Sequence, residues 1–184
     1  MLAQYLYVAL CFVFDGIAAA IFPIDFANVS ISFVPCFGLC ALVLSIREMD
    51  FTNAMIMSVF FGVYYDFIYA NTFLVYEIVF ALVCLIVKYW TKHLGDSLIE
   101  LIVMCCVTIF MKEMIAYIIM VARDATTMDL SSWFINRIFL TIIVNAVFVY
   151  FLAFMNSFKE TYIRNREARI RKEEKLFIYK GRKM

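Results

Sequence analysis

Six ionisable side chains lie inside long apolar stretches of the sequence, where a charge is costly and is therefore a candidate for function. They are Asp15, Asp66, Glu77, Lys112, Glu113 and Arg137. Two aspartates on facing helices could cleave peptides in a membrane, and Tyr65-Asp66 and Gly95-Asp96 contain parts of the required motifs. Such carboxylates must share a proton at close range. The apolar pattern instead places Asp66 near one membrane face and Asp96 near the other, so we predict no protease.

The other residue types that carry chemistry do not form a recognisable motif. His93 is the single histidine, and the sequence has no zinc-protease motif, nucleophile elbow or phosphate-binding glycine loop. Cys36 and Cys40 share a helix face, but a metal needs thiolates, and charged sulfur in hydrocarbon is costly. We interpret the six cysteines as small apolar side chains. The sequence thus predicts no enzyme, no metal and no cofactor.

Polar residues align on the last two apolar stretches. Arg137, Thr141 and Asn145 have the spacing i, i+4, i+8, which places them on one helix face, and Glu113 and Tyr117 are aligned likewise. We expect Arg137 to pair with a carboxylate, Glu113 being the leading candidate. Two interpretations stay open: an outward-facing polar pocket or partner groove, and contacts that fix helix packing. The candidate residues are Asp15, Asp66, Glu77, Glu113, Tyr117, Arg137, Thr141 and Asn145.

The composition indicates an all-α integral membrane protein, because 66% of the 184 residues are apolar and 17% are charged. A helix needs about 20 apolar residues to cross a bilayer. Pro35 and Gly38 predict a kink in the second of six such stretches, and a tight hairpin is expected around Ala70-Asn71. We predict a bundle of about six transmembrane helices in residues 1–157. The stretches are Leu2–Phe22, Val29–Ile46, Thr52–Tyr69, Thr72–Tyr89, Leu98–Val121 and Trp133–Met155.

Residues 158–184 form a different segment, a basic tail. From Lys159 onward there are ten Lys/Arg and four Asp/Glu, whereas the first 158 residues contain six and eleven. Cations favour the cytoplasmic side, so six crossings predict that both termini are cytoplasmic. Ile163, Ile170 and Phe177 repeat every seven residues and predict an amphipathic helix that binds the inner leaflet or a cytoplasmic partner. The alternative is that the tail cations only hold the topology.

Three segments give the chain a resemblance to the family of rod shape-determining proteins MreD. Gly62–Phe67 resembles the family's glycine, three apolar or aromatic residues and aspartate at the end of a central helix. Phe110–Tyr117 is similar to its Phe-x-x-Glu-x-x-x-Tyr stretch, and Arg137–Asn145 to its last helix. Leu140 replaces the family's proline, and Phe73–Val75 fills the region where a second glycine is usual.

This resemblance implies a non-enzymatic scaffold subunit of the bacterial cell-elongation machinery, which builds peptidoglycan and sets cell shape. It implies a multi-pass protein of the bacterial cell membrane that contacts lipid, binds MreC and works indirectly with MreB, a class B penicillin-binding protein and a SEDS-family glycosyltransferase. No nucleic acid is implied. The family is also similar in architecture to the substrate-binding subunits of energy-coupling-factor transporters. The alternative function is therefore a vitamin-type binding subunit of a membrane transporter.

Overall fold

The computed structural model describes residues 2–21, 33–70, 74–93, 97–124 and 126–181, and these ranges contain helices and no strand. In hydrocarbon a spanning segment must satisfy its own backbone, which favours helices. α3 continues as a π-helical turn over Asp66–Ala70, and α6 runs through the π-helical segment Phe134–Ile138 into α7. The helices are α1 Leu2–Ile21, α2 Phe37–Glu48, α3 Phe51–Tyr65, α4 Val75–Thr91, α5 Leu98–Ala122, α6 Leu130–Trp133 and α7 Phe139–Gly181.

Four helical segments are long and apolar enough to cross a membrane: Leu2–Ile21, Phe51–Tyr69, Leu98–Ala122 and Leu130–Met155. They agree with four of the six predicted crossings within a few residues. The last one begins earlier than predicted because the side chain of Asp129 accepts a hydrogen bond from the Ser132 amide and caps α6. The chain is therefore a multi-pass helical membrane protein.

The second predicted crossing differs from the prediction. Instead of a kinked helix, the described part is a non-helical segment, Phe33–Cys36, followed by α2, which has 12 residues. Pro35 lies in the non-helical segment, where its missing N–H removes no helical hydrogen bond. At 1.5 Å per residue α2 is about 18 Å long, too short to cross hydrocarbon of about 30 Å. Its residues from Gly38 to Ile46 are all buried, so α2 is the central helix of the bundle.

The fourth predicted crossing corresponds to α4, which has 17 residues. Val29 and Thr72, the predicted starts of the second and fourth crossings, and the hairpin residue Asn71 lie outside the described residues. α4 packs along α3 at short range. A Cβ atom on Gly62 would lie 2.5 Å from the Glu77 Cα, so only glycine permits this approach.

An aromatic core joins α1, α3 and α4. The Phe12 ring lies 5.3 Å from the Phe61 ring and 6.2 Å from the Phe80 ring, and Tyr65 packs 5.6 Å from Phe80. Gly38 at the start of α2 leaves the space that the Phe12 ring occupies. The outer faces of the bundle carry exposed Leu, Ile, Val and Phe side chains, as on α1 and α7. The outer surface is thus apolar, which suits a lipid environment, while the interior contains buried polar side chains beside the apolar core.

Candidate functional site

Asp15 caps the central helix from a neighbouring helix. The Asp15 carboxylate on α1 accepts hydrogen bonds from the amides of Phe37 at 2.7 Å and Gly38 at 2.8 Å, the first two residues of α2. The first N–H groups of a helix have no partner within it and carry positive partial charge. The buried carboxylate therefore satisfies two donors and complements the dipole of α2.

Thr141 and Asn145 bind the non-helical segment that precedes α2. The Thr141 hydroxyl accepts from the Val34 amide at 3.2 Å, and the Asn145 carbonyl accepts from the Cys36 amide at 3.0 Å. The Asn145 amide also donates to the Val34 carbonyl at 2.9 Å and to the Thr141 carbonyl at 2.8 Å. An unsatisfied backbone group in hydrocarbon costs several kcal/mol. These two side chains of α7 thus make a non-helical segment tolerable inside the bundle.

Lys88 occupies the opposite end of α2. Its ammonium, on α4, donates to the carbonyl of Arg47 at 3.2 Å and to the carbonyl of Met49. Carbonyls at a helix C-terminus carry negative partial charge. α2 is therefore held between an anionic side chain at its start and a cationic one at its end, supplied by two different helices.

Asp66 caps α4 in the same manner as Asp15 caps α2. Its carboxylate accepts from the Tyr76 amide at 3.0 and 3.2 Å and from the Glu77 amide at 3.2 Å. The contact requires α4 to begin close to the end of α3, which Gly62 allows. The glycine and aspartate of the Gly62–Phe67 motif are thus two parts of one hairpin: the glycine admits the α4 backbone and the aspartate caps it.

Glu113 lies between two cations in the bundle. Its carboxylate is 3.0 Å from the Lys112 ammonium and 3.2 Å from Nε of Arg137, and all three side chains are buried. The predicted pairing of Arg137 with Glu113 is therefore confirmed. Lys112 also lies 5.1 Å from the centre of the Tyr65 ring and 3.5 Å from the Cys36 sulfur. Cys36 is thus more than an apolar filler, because its thiol contacts an ammonium.

Several of the buried polar residues lie at a similar distance along their helices. Asp15, Asp66 and Lys112 each lie about 20–22 Å from the first residue of α1, α3 and α5, respectively, at 1.5 Å per residue. Asp15 contacts the start of α2, Asp66 contacts the start of α4, and Lys112 contacts both Cys36 and Glu113. We call the set the polar layer and define it as Asp15, Asp66, Lys112, Glu113, Arg137, Thr141 and Asn145.

Charges in the polar layer nearly balance. Its three carboxylates oppose two cations and two helix N-termini, each equivalent to about half a positive charge. Buried charges are costly unless they are paired and hydrogen-bonded. The charges of the polar layer therefore sum to about zero, and its carboxylates are hydrogen-bonded.

Two predicted residues lie beside the polar layer. The Tyr117 hydroxyl donates to the Met128 carbonyl at 3.0 Å, and its ring lies 4.8 Å from that of Trp133, so it fixes the connection between α5 and α6. Glu77 contributes its backbone amide to Asp66, and its side chain is half-buried. Asp96, the second half of the protease pair considered above, lies outside the described residues.

Two participants were missed among the predicted site residues. Lys88 is absent from the ionisable candidates given above, and Lys112 is among them without a predicted role. A lysine in the last turn of a helix, and a lysine next to a buried glutamate, are the signals that could have pointed to them. In the described part of the chain, no three His, Cys, Asp or Glu residues are grouped to hold a metal ion.

A family model described as rod shape-determining protein MreD matches residues 1–158. The chain belongs to the MreD family. In this MreD-family protein the matched region contains the whole polar layer, and the basic tail follows it. No curated protein and no solved structure matches the chain. The predicted likeness to transporter substrate-binding subunits therefore stays a prediction.

Proposed function

We propose that this MreD-family chain is a non-enzymatic membrane scaffold subunit of the bacterial cell-elongation machinery and that it binds MreC. The observation that carries the proposal is the family match over residues 1–158, because the family is defined by rod-shape determination. The polar layer supports it, since its carboxylates and amides bind helix ends and one another. An active site instead needs such groups to face a substrate.

We infer six crossings of the bacterial cell membrane, with both termini in the cytoplasm. The ten Lys/Arg that follow Phe158 support this orientation. Arg47 and Lys92 would then lie on the cytoplasmic side, and Arg123, beside Asp124, on the outer side. α2 together with the residues before it, and α4, would supply the two crossings beyond the four long helices.

MreC is the direct partner in this proposal, and the other components are reached through the complex. MreB, a class B penicillin-binding protein and a SEDS-family glycosyltransferase are expected to be indirect partners. The exposed apolar faces of the bundle offer surface to lipid and to transmembrane segments of partners. No role with nucleic acid is proposed.

The test is co-purification of the tagged full chain with MreC in mild detergent, beside depletion of the chain in its host. We expect a stoichiometric complex, and rounded cells with unchanged vitamin uptake on depletion. An unrelated six-helix membrane protein with the same tag serves as control. Recovery of a stoichiometric vitamin or of transporter ATPases, with rod shape retained on depletion, would instead support the transporter subunit.

A further inference from the structure

One face of α7 carries a regular series of exposed side chains. Val147, Phe151, Phe154 and Phe158 follow one another at spacings of four, three and four residues, and Val147 and Phe158 are 69% and 59% exposed. Thr161 and Asn165, both exposed, continue the alternation. Spacings of three and four repeat every 3.5 residues on average, which is the pattern of a coiled-coil seam. We call these six residues the α7 seam.

The α7 seam extends beyond the bilayer. The helix is continuous from Leu130, so Phe158 lies about 42 Å along it and Asn165 about 52 Å, at 1.5 Å per residue. A helix would need a tilt of about 45° to keep 42 Å within hydrocarbon of about 30 Å, which exceeds the range of transmembrane helices. In the orientation proposed above, Phe158 then lies at the cytoplasmic interface, and the charged residues that follow it keep Thr161 and Asn165 out of the hydrocarbon.

The chemistry of the seam suits a second copy of the same chain. None of the six seam residues is charged, so two identical seams can face each other without repulsion. Membrane insertion gives both copies the same orientation, so the two helices are parallel and each seam residue meets its counterpart. A single Asn at such a position favours a defined register in paired helices, and Asn165 supplies one.

Charge limits how far the pairing runs. In the same repeat Arg164 and Arg169 flank the seam. Between parallel helices, the position of Arg164 in one copy faces the position of Arg169 in the other. Like charges there are destabilising, so the helices are expected to diverge after Asn165. We propose that two copies of this chain pair through α7 over Val147–Asn165, which leaves their basic ends apart and free for other contacts.

The first test is cross-linking of single introduced cysteines in lipid nanodiscs or native membrane vesicles. Five of the six natural cysteines are buried, so the background is low. Phe158→Cys and Asn165→Cys should each give several-fold more cross-linked dimer than Glu160→Cys, which the repeat places away from the seam. Equal yields at seam and control positions would overturn the proposal, as would cross-links of the seam positions to a different membrane protein alone.

The second test counts subunits and does not depend on cross-linking. Single-molecule photobleaching of the labelled full chain in nanodiscs should show two copies per particle for wild type and for the control Glu160→Arg. Phe158→Arg should shift the count to one copy, because two arginines would face each other in the seam. A wild-type chain that stays single at physiological lipid-to-protein ratios would refute the pairing.

Discussion

Replacing Glu113 is expected to be more damaging than replacing either of its two cationic partners. Glu113→Gln would leave Lys112 and Arg137 buried together without a carboxylate between them. Arg137→Leu leaves the contact of Glu113 with Lys112 intact. The two single variants should therefore lower the free energy of unfolding by unequal amounts. An isolated ion pair of two residues would not give this difference.

The magnitudes follow from what each variant leaves unpaired. Loss of one partner of a buried ion pair costs about 3–5 kcal/mol, and Glu113→Gln removes a carboxylate that two buried cations contact, so its cost should lie at or above that range. Arg137→Leu leaves Glu113 in contact with Lys112, and the charge-assisted hydrogen bond that it removes from Glu113 is worth about 1.5–3 kcal/mol. In the Glu113→Gln background the contact between Arg137 and Glu113 is already lost, so Arg137→Leu should cost less there than in the wild type.

The assay is a double-variant cycle of the purified protein in mixed micelles, with unfolding by SDS followed by circular dichroism. A thiol-reactive fluorophore gives an independent thermal midpoint, because five of the six cysteines become accessible only on unfolding. Glu77→Gln is the matched control, being the same isosteric change at a half-buried carboxylate beside the polar layer. It should shift both measurements little.

The difference between the Arg137→Leu effects in the two backgrounds decides the outcome. If Arg137→Leu destabilises both backgrounds equally, with additivity within about 0.5 kcal/mol, then Glu113 and Arg137 are not coupled and the description of the polar layer fails. An equal cost for Glu113→Gln and Arg137→Leu would show that Lys112 does not share the carboxylate.

Three further predictions concern the other contacts. Gly62→Ala should lower the free energy of unfolding by about 1–3 kcal/mol, because its Cβ would meet the α4 backbone; Gly16→Ala, whose Cβ would meet only the end of a tyrosine side chain, should cost less in the same SDS titration. Asn145→Leu leaves the Cys36 amide and the Val34 carbonyl without this side chain, which should lower the free energy of unfolding by about 1–3 kcal/mol for each group. A second polar residue introduced on α7 should restore stability only at a position that reaches these groups. Reporter fusions at Asn71 and at the C-terminus should report opposite sides of the membrane, and the same side for both would contradict six crossings.

Hydropathy was sufficient for the long helices and insufficient for α2. α1, α3, α5 and α7 were predictable because about 20 apolar residues in sequence have few alternatives to a spanning helix. The run that contains Pro35 is equally apolar, but hydropathy does not distinguish a side chain that faces lipid from one that faces protein. α2 is short and buried among five neighbouring helices, and no local pattern in the sequence indicates that placement.

The ion pair of the polar layer was predictable, whereas its helix caps were not. Arg137 and Glu113 were expected to pair because two opposite charges in hydrocarbon have few other ways to be compensated. Asp15 and Asp66 were recognised as buried, but their partners are backbone amides of other helices. Every residue except proline carries such an amide, so the sequence does not single out which ones the carboxylates bind.

The contacts of the non-helical segment before α2 also set the order in which the protein can be completed during translation. Val34 and Cys36 bind side chains that follow them by 107 and 109 residues. At about 5–20 residues per second the ribosome needs roughly 5–20 s to deliver that stretch. Until α7 emerges, the amides before α2 need water, an insertase or a chaperone as a temporary partner. A nascent chain that stalls before Thr141 therefore exposes unmet polar groups in the membrane, a feature by which quality-control proteases could distinguish it from the finished protein.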